Sequence, residues 1–316
     1  MVQLQLKNEH IPKFISKYGT LLAFVFLIIL ISLLSPQFLK LPNIINILRQ
    51  TSVNGIIAVG MTFVIITGGI DLSVGSLLAL TSVVACSFAH PGEYPLLFPL
   101  AIGLVVGLFG GFLNGFIIAK KHIAPFIVTL GMMTIARGLA LVYTNGRPVI
   151  NLSDNFNNIG GGYLVGIPIP ILVFGLVALF GFFILKYTRL GRYIYAVGGN
   201  EESARIAGIN TKGIVMVVYA ITGFLSGLAG IVLSSRVMSG SPAIGQGYEL
   251  DAIAAVVIGG TSLSGGVGTI GGTVLGVLII GVMNNGLDLL NVSSYWQQIV
   301  KGIIIIIAVL LDSKRR

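Results

Sequence analysis

Residues 56–89 read IIAVGMTFVIITGGIDLSVGSLLALTSVVACSFA, an apolar stretch whose length decides the class of fold. As one continuous helix these 34 residues would extend about 51 Å, whereas the hydrocarbon core of a bilayer is roughly 30 Å thick. The helix is therefore predicted to break, and Gly68-Gly69-Ile70-Asp71 is the expected place because glycine weakens helices. Two short spans with a carboxylate at their junction are expected.

The overall composition also indicates a membrane protein. Hydrophobic residues make up 55% of the chain and charged residues only 9%, with a mean hydropathy of +0.99, which no soluble core of this size requires. The net charge of +9 does not indicate nucleic-acid binding, because the basic residues form short clusters beside apolar blocks. The single Cys86 excludes an internal disulfide, and the widely separated histidines have no metal-ligand spacing. We expect no metal and no cofactor.

A second overlong apolar run, residues 250–287, contains glycine pairs of the same kind. The segments GGIDLSVG (residues 68–75) and GGTSLSGG (residues 259–266) share the pattern Gly-Gly-x-x-Leu-Ser-x-Gly. Agreement over so short a glycine-rich segment is weak to moderate evidence for an internal repeat. Paired glycine-broken segments in the two halves of a chain are nevertheless typical of a transport pathway.

Together the apolar segments predict an all-α integral membrane protein, a polytopic helical bundle of about ten spans. The distribution of lysine and arginine places both termini in the cytoplasm. The predicted divisions are a cytoplasmic tail (1–20), a transmembrane domain (21–311) and a second cytoplasmic tail (312–316). No small-x-small cleavage site follows the first apolar run, which favours an uncleaved first span.

Within the predicted fourth span, Gly103, Gly107, Gly111 and Gly115 recur every four residues. This spacing places them on one face of a helix, where small residues let a second helix approach closely. The stripe therefore predicts a helix-packing surface.

The longest polar segment between apolar blocks is the basic loop at residues 186–213, which is predicted to lie in the cytoplasm. Its second half has the capping and charge pattern of a short helix, which needs a partner surface to be stable. That surface could belong to the membrane domain or to another protein, and these residues favour neither. The residues of this predicted helix and its ends are Asn200, Glu201, Glu202, Ala204, Arg205, Ala207 and Gly208.

The sequence contains no nucleotide-binding G-x-x-x-x-G-K-[ST] motif and no signature of a hydrolase or metalloprotease. An enzyme is therefore not expected. Polar residues inside apolar runs are instead candidates for a translocation pathway. The alternatives are that the acids cap helices or pair with arginines, and that the amides hold helices together. The candidates are Asn54, Asp71, Ser73, Asn114, Tyr248, Glu249, Asp251, Asn284 and Asn285.

Several ordered motifs resemble those of a known family. They are GGIDLSVGSLLALTS (68–82), RLGRYIYAVGGNE (189–201), GYELDAIAAVVIGGTSLSGG (247–266) and NNGLDLL (284–290), which is followed by VSSYWQQIVKG (292–302). From about Gln50 to Asp312 the chain is similar to the permease subunits of bacterial ABC importers for monosaccharides, the ribose permeases in particular.

The resemblance implies a homodimer in the bacterial cytoplasmic (inner) membrane. ATP-binding subunits would dock inside, where residues 200–208 match the coupling helix of the family, and an extracytoplasmic sugar-binding protein would deliver substrate outside. Since that binding protein carries the recognition of substrate, no strong sugar pocket is expected in the chain. The rival hypothesis is a proton-coupled secondary transporter that uses Asp71, Glu249 or Asp251.

The predicted topology leaves a few basic residues on the outer face, against the usual bias. They are candidates for docking an acidic surface of the binding protein, and contact with the phosphates of membrane lipid is the alternative. These residues are Lys40, Arg49, Arg147 and Arg236.

Overall fold

The computed structural model describes residues 10–313, which fold almost entirely into helices. In chain order the helices are α1 (His10–Leu34), α2 (Leu41–Ile66), α3 (Val74–Ser87), α4 (Leu97–Lys121), α5 (Pro125–Thr144), α6 (Asp154–Gly161), α7 (Ile169–Tyr187), α8 (Arg189–Gly199), α9 (Glu201–Ile206), α10 (Thr211–Val237), α11 (Tyr248–Ile258), α12 (Ile270–Leu289) and α13 (Ser294–Ser313). A small antiparallel hairpin consists of β1 (Tyr163–Leu164) and β2 (Ile167–Pro168).

Among the described residues, 6 helices are long and apolar enough to cross a membrane: α2, α4, α5, α7, α10 and α12. The apolar parts of α1, α3 and α13 are shorter, and α11 has only 11 residues. The structure therefore agrees with an all-α multi-pass membrane protein, whereas the count of about ten spans stays a prediction.

Helix α2 lies at the centre of the bundle. Nearly all of its side chains from Thr51 onward are buried, and α7, α10, α11 and α12 pack around it. The hydroxyls of Thr62 on α2 and Thr273 on α12 lie 2.6 Å apart in a hydrogen bond. Such a polar contact between apolar helices fixes their relative position.

Both overlong apolar runs are interrupted by non-helical backbone. In the first run α2 ends at Ile66 and α3 begins at Val74, and in the second α11 ends at Ile258 and α12 begins at Ile270. Gly68 and Gly260 adopt φ angles of +79° and +90° at these interruptions. Only glycine adopts such angles at little cost, so each glycine pair ends the preceding helix.

The glycine stripe of α4 packs directly against α10, as predicted. A Cβ atom added to Gly111 would lie 2.8 Å from the Cα of Gly223, and one added to Gly107 would lie 3.0 Å from the Cα of Gly227. Both distances are shorter than an ordinary contact, so this seam has room only for glycine.

The segment directly before α7 is not helical. Residues 163–168 instead form the hairpin, whose turn residues Val165 and Gly166 have positive φ angles. The helix begins only at Ile169 because Pro168 and Pro170 flank that position, where proline is compatible with a first turn. The preceding outer segment contains α6, which was not predicted.

Candidate functional site

The short helix α9 has the capping predicted from its sequence. The side chain of Asn200 accepts a hydrogen bond from the backbone nitrogen of Ser203 at 2.8 Å, and Gly208 follows the helix with a φ of +82°. Ala204 packs against the rest of the chain, whereas Ala207 is exposed and Ile206 is 78% exposed. The helix therefore presents an apolar tip at Ile206 and Ala207 to its surroundings.

The preceding helix, α8, was not predicted, and it ends in direct backbone contact with both interrupted segments. A Cβ atom on Gly198 would overlap the carbonyl oxygen of Ile66, the last residue of α2. That same oxygen accepts a hydrogen bond from the backbone nitrogen of Gly266 at 2.8 Å. We refer to this close backbone contact of Ile66, Gly198 and Gly266 as the glycine junction.

Tyr195 adds a side-chain bond beside the glycine junction. Its hydroxyl donates to the carbonyl oxygen of Gly268 at 2.7 Å, and burial raises the pKa of the phenol, which keeps it protonated as a donor. Helix α9 follows α8 directly. The end of α8 therefore lies against the end of α2 and against the segment that joins α11 to α12.

The first interruption places three of the predicted polar residues together. The carboxylate of Asp71 accepts hydrogen bonds from the backbone nitrogen (2.8 Å) and the hydroxyl (2.6 Å) of Ser73, and the amide of Asn114 donates to that hydroxyl at 2.9 Å. All three residues are fully buried. The cluster joins the start of α3 to α4, with Asp71 bonded to Ser73, the residue that precedes α3.

A different set of polar residues lines a cavity of about 380 Å³, which we call the outer cavity. It lies between the ends of α2, α10, α11, α12 and α13 that the predicted topology places outside. Sequence analysis identified Asn54, Tyr248, Asp251 and Asn284 among its lining residues. It did not identify Gln50, Gln297 and Lys301, which also line the cavity, and it assigned Arg236, another lining residue, to docking of the binding protein.

An ion pair lies in the wall of the outer cavity. The ammonium of Lys301 lies 3.0 Å from the Oδ2 atom of Asp251, and the amide of Asn54 donates to the same oxygen at 3.4 Å. The predicted alternative for Asp251 was an arginine partner, but the partner is a lysine on α13.

The remaining pathway candidates, Glu249 and Asn285, do not line the outer cavity. Glu249 accepts a hydrogen bond from the backbone nitrogen of Gly247 at 3.2 Å. Asn285 and Asn43 exchange two amide hydrogen bonds, each 2.9 Å long, which join α12 to α2. Asn285 is therefore engaged in helix packing.

Arg137, which lies within α5, holds the segment before α11 in place. Its guanidinium donates to the carbonyl oxygens of Pro242 and of Ile244, the latter at 2.8 Å. A cation among apolar residues is thus satisfied by backbone acceptors rather than by a carboxylate.

The outer basic residues fall into two groups. Lys40 and Arg147 are exposed. Arg49 lies over the ring of Tyr163, 4.6 Å from its centroid, and Arg236 is half-buried in the outer cavity. Only the first group is fully exposed on the surface of the chain.

A second cavity of about 290 Å³, the inner cavity, lies at the opposite ends of the helices. Its lining includes Gly68 and Gly69 from the first interruption, Glu201 from α9 and Tyr219 from α10. Within residues 10–313 no cluster of histidine, cysteine or acidic side chains could hold a metal ion.

Comparison with known proteins gave near full-length similarities. Residues 43–309 match the family described as branched-chain amino acid transport system / permease component. The chain is 49% identical to the ribose import permease protein RbsC of Haemophilus influenzae, with 99% of this chain and 98% of the relative covered. It is 51% identical to RbsC of Bacillus subtilis over the same shares, and 42% identical to the D-allose transport system permease protein AlsC of Escherichia coli, covering 95% and 92%. The comparison with solved structures gave no match.

Proposed function

The chain belongs to this family of transport permeases, and we propose that it is the membrane subunit of an ABC importer that takes up ribose or a related monosaccharide. The observation that carries the proposal is that about half of the residues are identical to those of ribose import permeases, over nearly the whole chain. An ABC import permease works with a separate ATP-binding subunit and with an extracytoplasmic sugar-binding protein. This chain is accordingly not the ATPase.

The rival mechanism, proton-coupled transport, has less support. The family relationship favours ATP-driven import, and Asp251 is already paired with Lys301. Asp71 is engaged by Ser73, and Glu249 accepts from the backbone of its own turn. The acids therefore have structural partners that account for their presence.

We propose about ten spans, with the shorter helices α1, α3, α11 and α13 crossing beside the six long ones. An even number of crossings leaves both termini in the cytoplasm, which the basic residues favour. We further propose that two copies of the chain form the translocation unit, surrounded by membrane lipid.

Helix α9 is the proposed docking element for the ATP-binding subunit. Its exposed Ile206 and Ala207 offer an apolar contact, and small helices with such an anchor fit into grooves. If the ATP-binding subunit contacts α9 differently before and after it binds ATP, the difference in binding free energy shifts the permease between two packings. The glycine junction would pass this shift to both interrupted segments.

The outer and inner cavities are the proposed ends of the translocation pathway. In this arrangement the buried middle of α2 separates them, so sugar passes only when the helices around α2 repack. The pathway candidates Asn54, Tyr248, Asp251 and Asn284 belong to the outer end, whereas Asp71, Ser73 and Asn114 lie near the inner one.

The test of docking is the substitution Ala207→Glu, with Ala243→Glu as the matched control. Ala243 is also exposed but lies in the loop between α10 and α11, at the opposite ends of the helices. A carboxylate buried at the interface without a partner should weaken binding of the cognate ATP-binding subunit by about tenfold or more. Co-purification and sugar uptake should fall for Ala207→Glu, and co-purification should stay normal for the control. Equal binding by both variants would refute the docking role.

A further inference from the structure

We propose that the outer cavity is a defined binding site for one neutral monosaccharide, so that the permease itself recognises the sugar it receives. The inference rests on the proposed function and deepens it, since the sequence led us to expect no strong sugar pocket in this chain. At about 380 Å³ the outer cavity falls within the range of about 300–1,000 Å³ that is usual for small-molecule sites.

The charges in the outer cavity point to a neutral ligand. Arg236 and Lys301 contribute two positive charges, and Asp251 and Asp288 contribute two negative charges. An anionic or cationic ligand would add a net charge to this balanced set, which gives it no electrostatic advantage. A neutral ligand leaves the balance of these four charges unchanged.

The same groups are suited to hydroxyls. The ammonium of Lys301 has three N–H donors, of which the bond to Asp251 uses one. A neighbouring donor and acceptor of this kind can bind adjacent hydroxyl groups, each of which both donates and accepts. Tyr248 adds an amphipathic ring, which suits the mixed polar and apolar surface of a sugar.

Three residues that line the outer cavity also have unused hydrogen-bonding capacity. The Oγ1 atom of Thr51 and the Oδ1 atoms of Asn54 and Asn284 are buried, and none has a hydrogen-bond partner. Leaving a buried polar atom without a hydrogen-bond partner destabilises the folded state by about 1–3 kcal/mol, so such atoms are rare in proteins. A small rotation of either amide would turn its oxygen towards a hydroxyl donor in the cavity. A ligand rich in hydroxyls therefore satisfies groups that the chain itself does not.

Two adjacent asparagines on α12 provide a matched pair for the test. Asn284 lines the outer cavity with its Oδ1 atom unpaired, whereas Asn285 faces away and exchanges two hydrogen bonds with Asn43. The full-length permease is placed in lipid nanodiscs without its partners, and equilibrium binding of radiolabelled D-ribose is measured. We expect saturable binding by the wild type, binding weaker by about two- to tenfold in Asn284→Ala, and unchanged affinity in Asn285→Ala.

Thermal unfolding of the same samples separates binding from folding. Asn285→Ala should be the less stable variant, because it removes both amide hydrogen bonds between α12 and Asn43. Competition with ribose 5-phosphate tests the neutral character of the site, and this anion should displace labelled ribose far less well than ribose does.

The proposal is overturned if the wild type shows no saturable binding at millimolar ribose, if both variants lose affinity equally, or if ribose 5-phosphate competes as well as ribose. Failure of the proposed function is distinguishable from these outcomes. If the complete importer, reconstituted with its ATP-binding subunit and binding protein, takes up ribose while the permease alone binds none, only the outer-cavity site is wrong.

Discussion

Replacing Gly111 on α4 by alanine should force α4 and α10 apart. The new Cβ would lie 2.8 Å from the Cα of Gly223, against about 3.4 Å or more for an ordinary contact, and it would overlap the carbonyl oxygen of Tyr219. Only backbone lies opposite, so no side chain can turn away and the helices must separate by at least about half an ångström. Overpacking of this kind lowers the free energy of unfolding by roughly 1–3 kcal/mol. This loss exceeds the gain of at most about 1 kcal/mol that comes from replacing glycine by alanine in a helix.

Thermal unfolding of the purified permease in one detergent measures this effect, with Gly131→Ala on α5 as the control. A Cβ atom at Gly131 meets nothing within 4 Å, so the control should be as stable as the wild type or more stable. Gly111→Ala should unfold several degrees lower, by about 2–4 °C per kcal/mol for a large domain. If Gly111→Ala is as stable as the wild type, or if the control loses as much, close glycine packing does not hold α4 against α10.

Three further predictions concern coupling, the buried ion pair and docking. Gly198→Ala should reduce the amount of sugar transported per ATP hydrolysed in the reconstituted importer. The adjacent Gly199→Ala, whose Cβ meets nothing within 4 Å, should behave as the wild type. The same sugar-to-ATP ratio in both variants would contradict the coupling role of the glycine junction. Lys301→Met should lower the free energy of unfolding by roughly 1–3 kcal/mol, because Asp251 keeps only its hydrogen bond from Asn54. Adding Asp251→Asn should restore most of this loss in thermal unfolding, and no recovery would argue against the pair. Arg147→Glu should weaken binding of the sugar-loaded binding protein by about 1 kcal/mol at low salt, and unchanged affinity there would exclude docking at this residue.

The features that the sequence predicted best are those that depend on neighbouring residues. The spacing of Gly107 and Gly111 specifies one helix face, and Asn200 with Gly208 specifies the ends of a short helix, because capping is a local interaction. The division of an apolar run that is too long for a bilayer follows from length alone.

The features that sequence analysis missed depend on which helices become neighbours. Lys301 and Asp251 are 50 residues apart, and nothing in either local sequence specifies the other as its partner. Arg236 appeared to be an outer surface residue, yet the packing of α10 against α2 places it in the lining of the outer cavity. Helix α8 was missed because its glycines weaken the helical pattern, although its packing against α2 and α7 stabilises it.

The pairing of Lys301 with Asp251 also has an electrical consequence. Moving one unpaired charge across a membrane potential of 100 mV involves about 2.3 kcal/mol, so a lone lysine or aspartate at this depth would make any rearrangement voltage-dependent. The two charges lie 3.0 Å apart and cancel, and the sugar carries none. Movement of the pair with its helices therefore transfers no net charge across the membrane. This pair adds nothing to the voltage dependence of a rearrangement in which both residues move together.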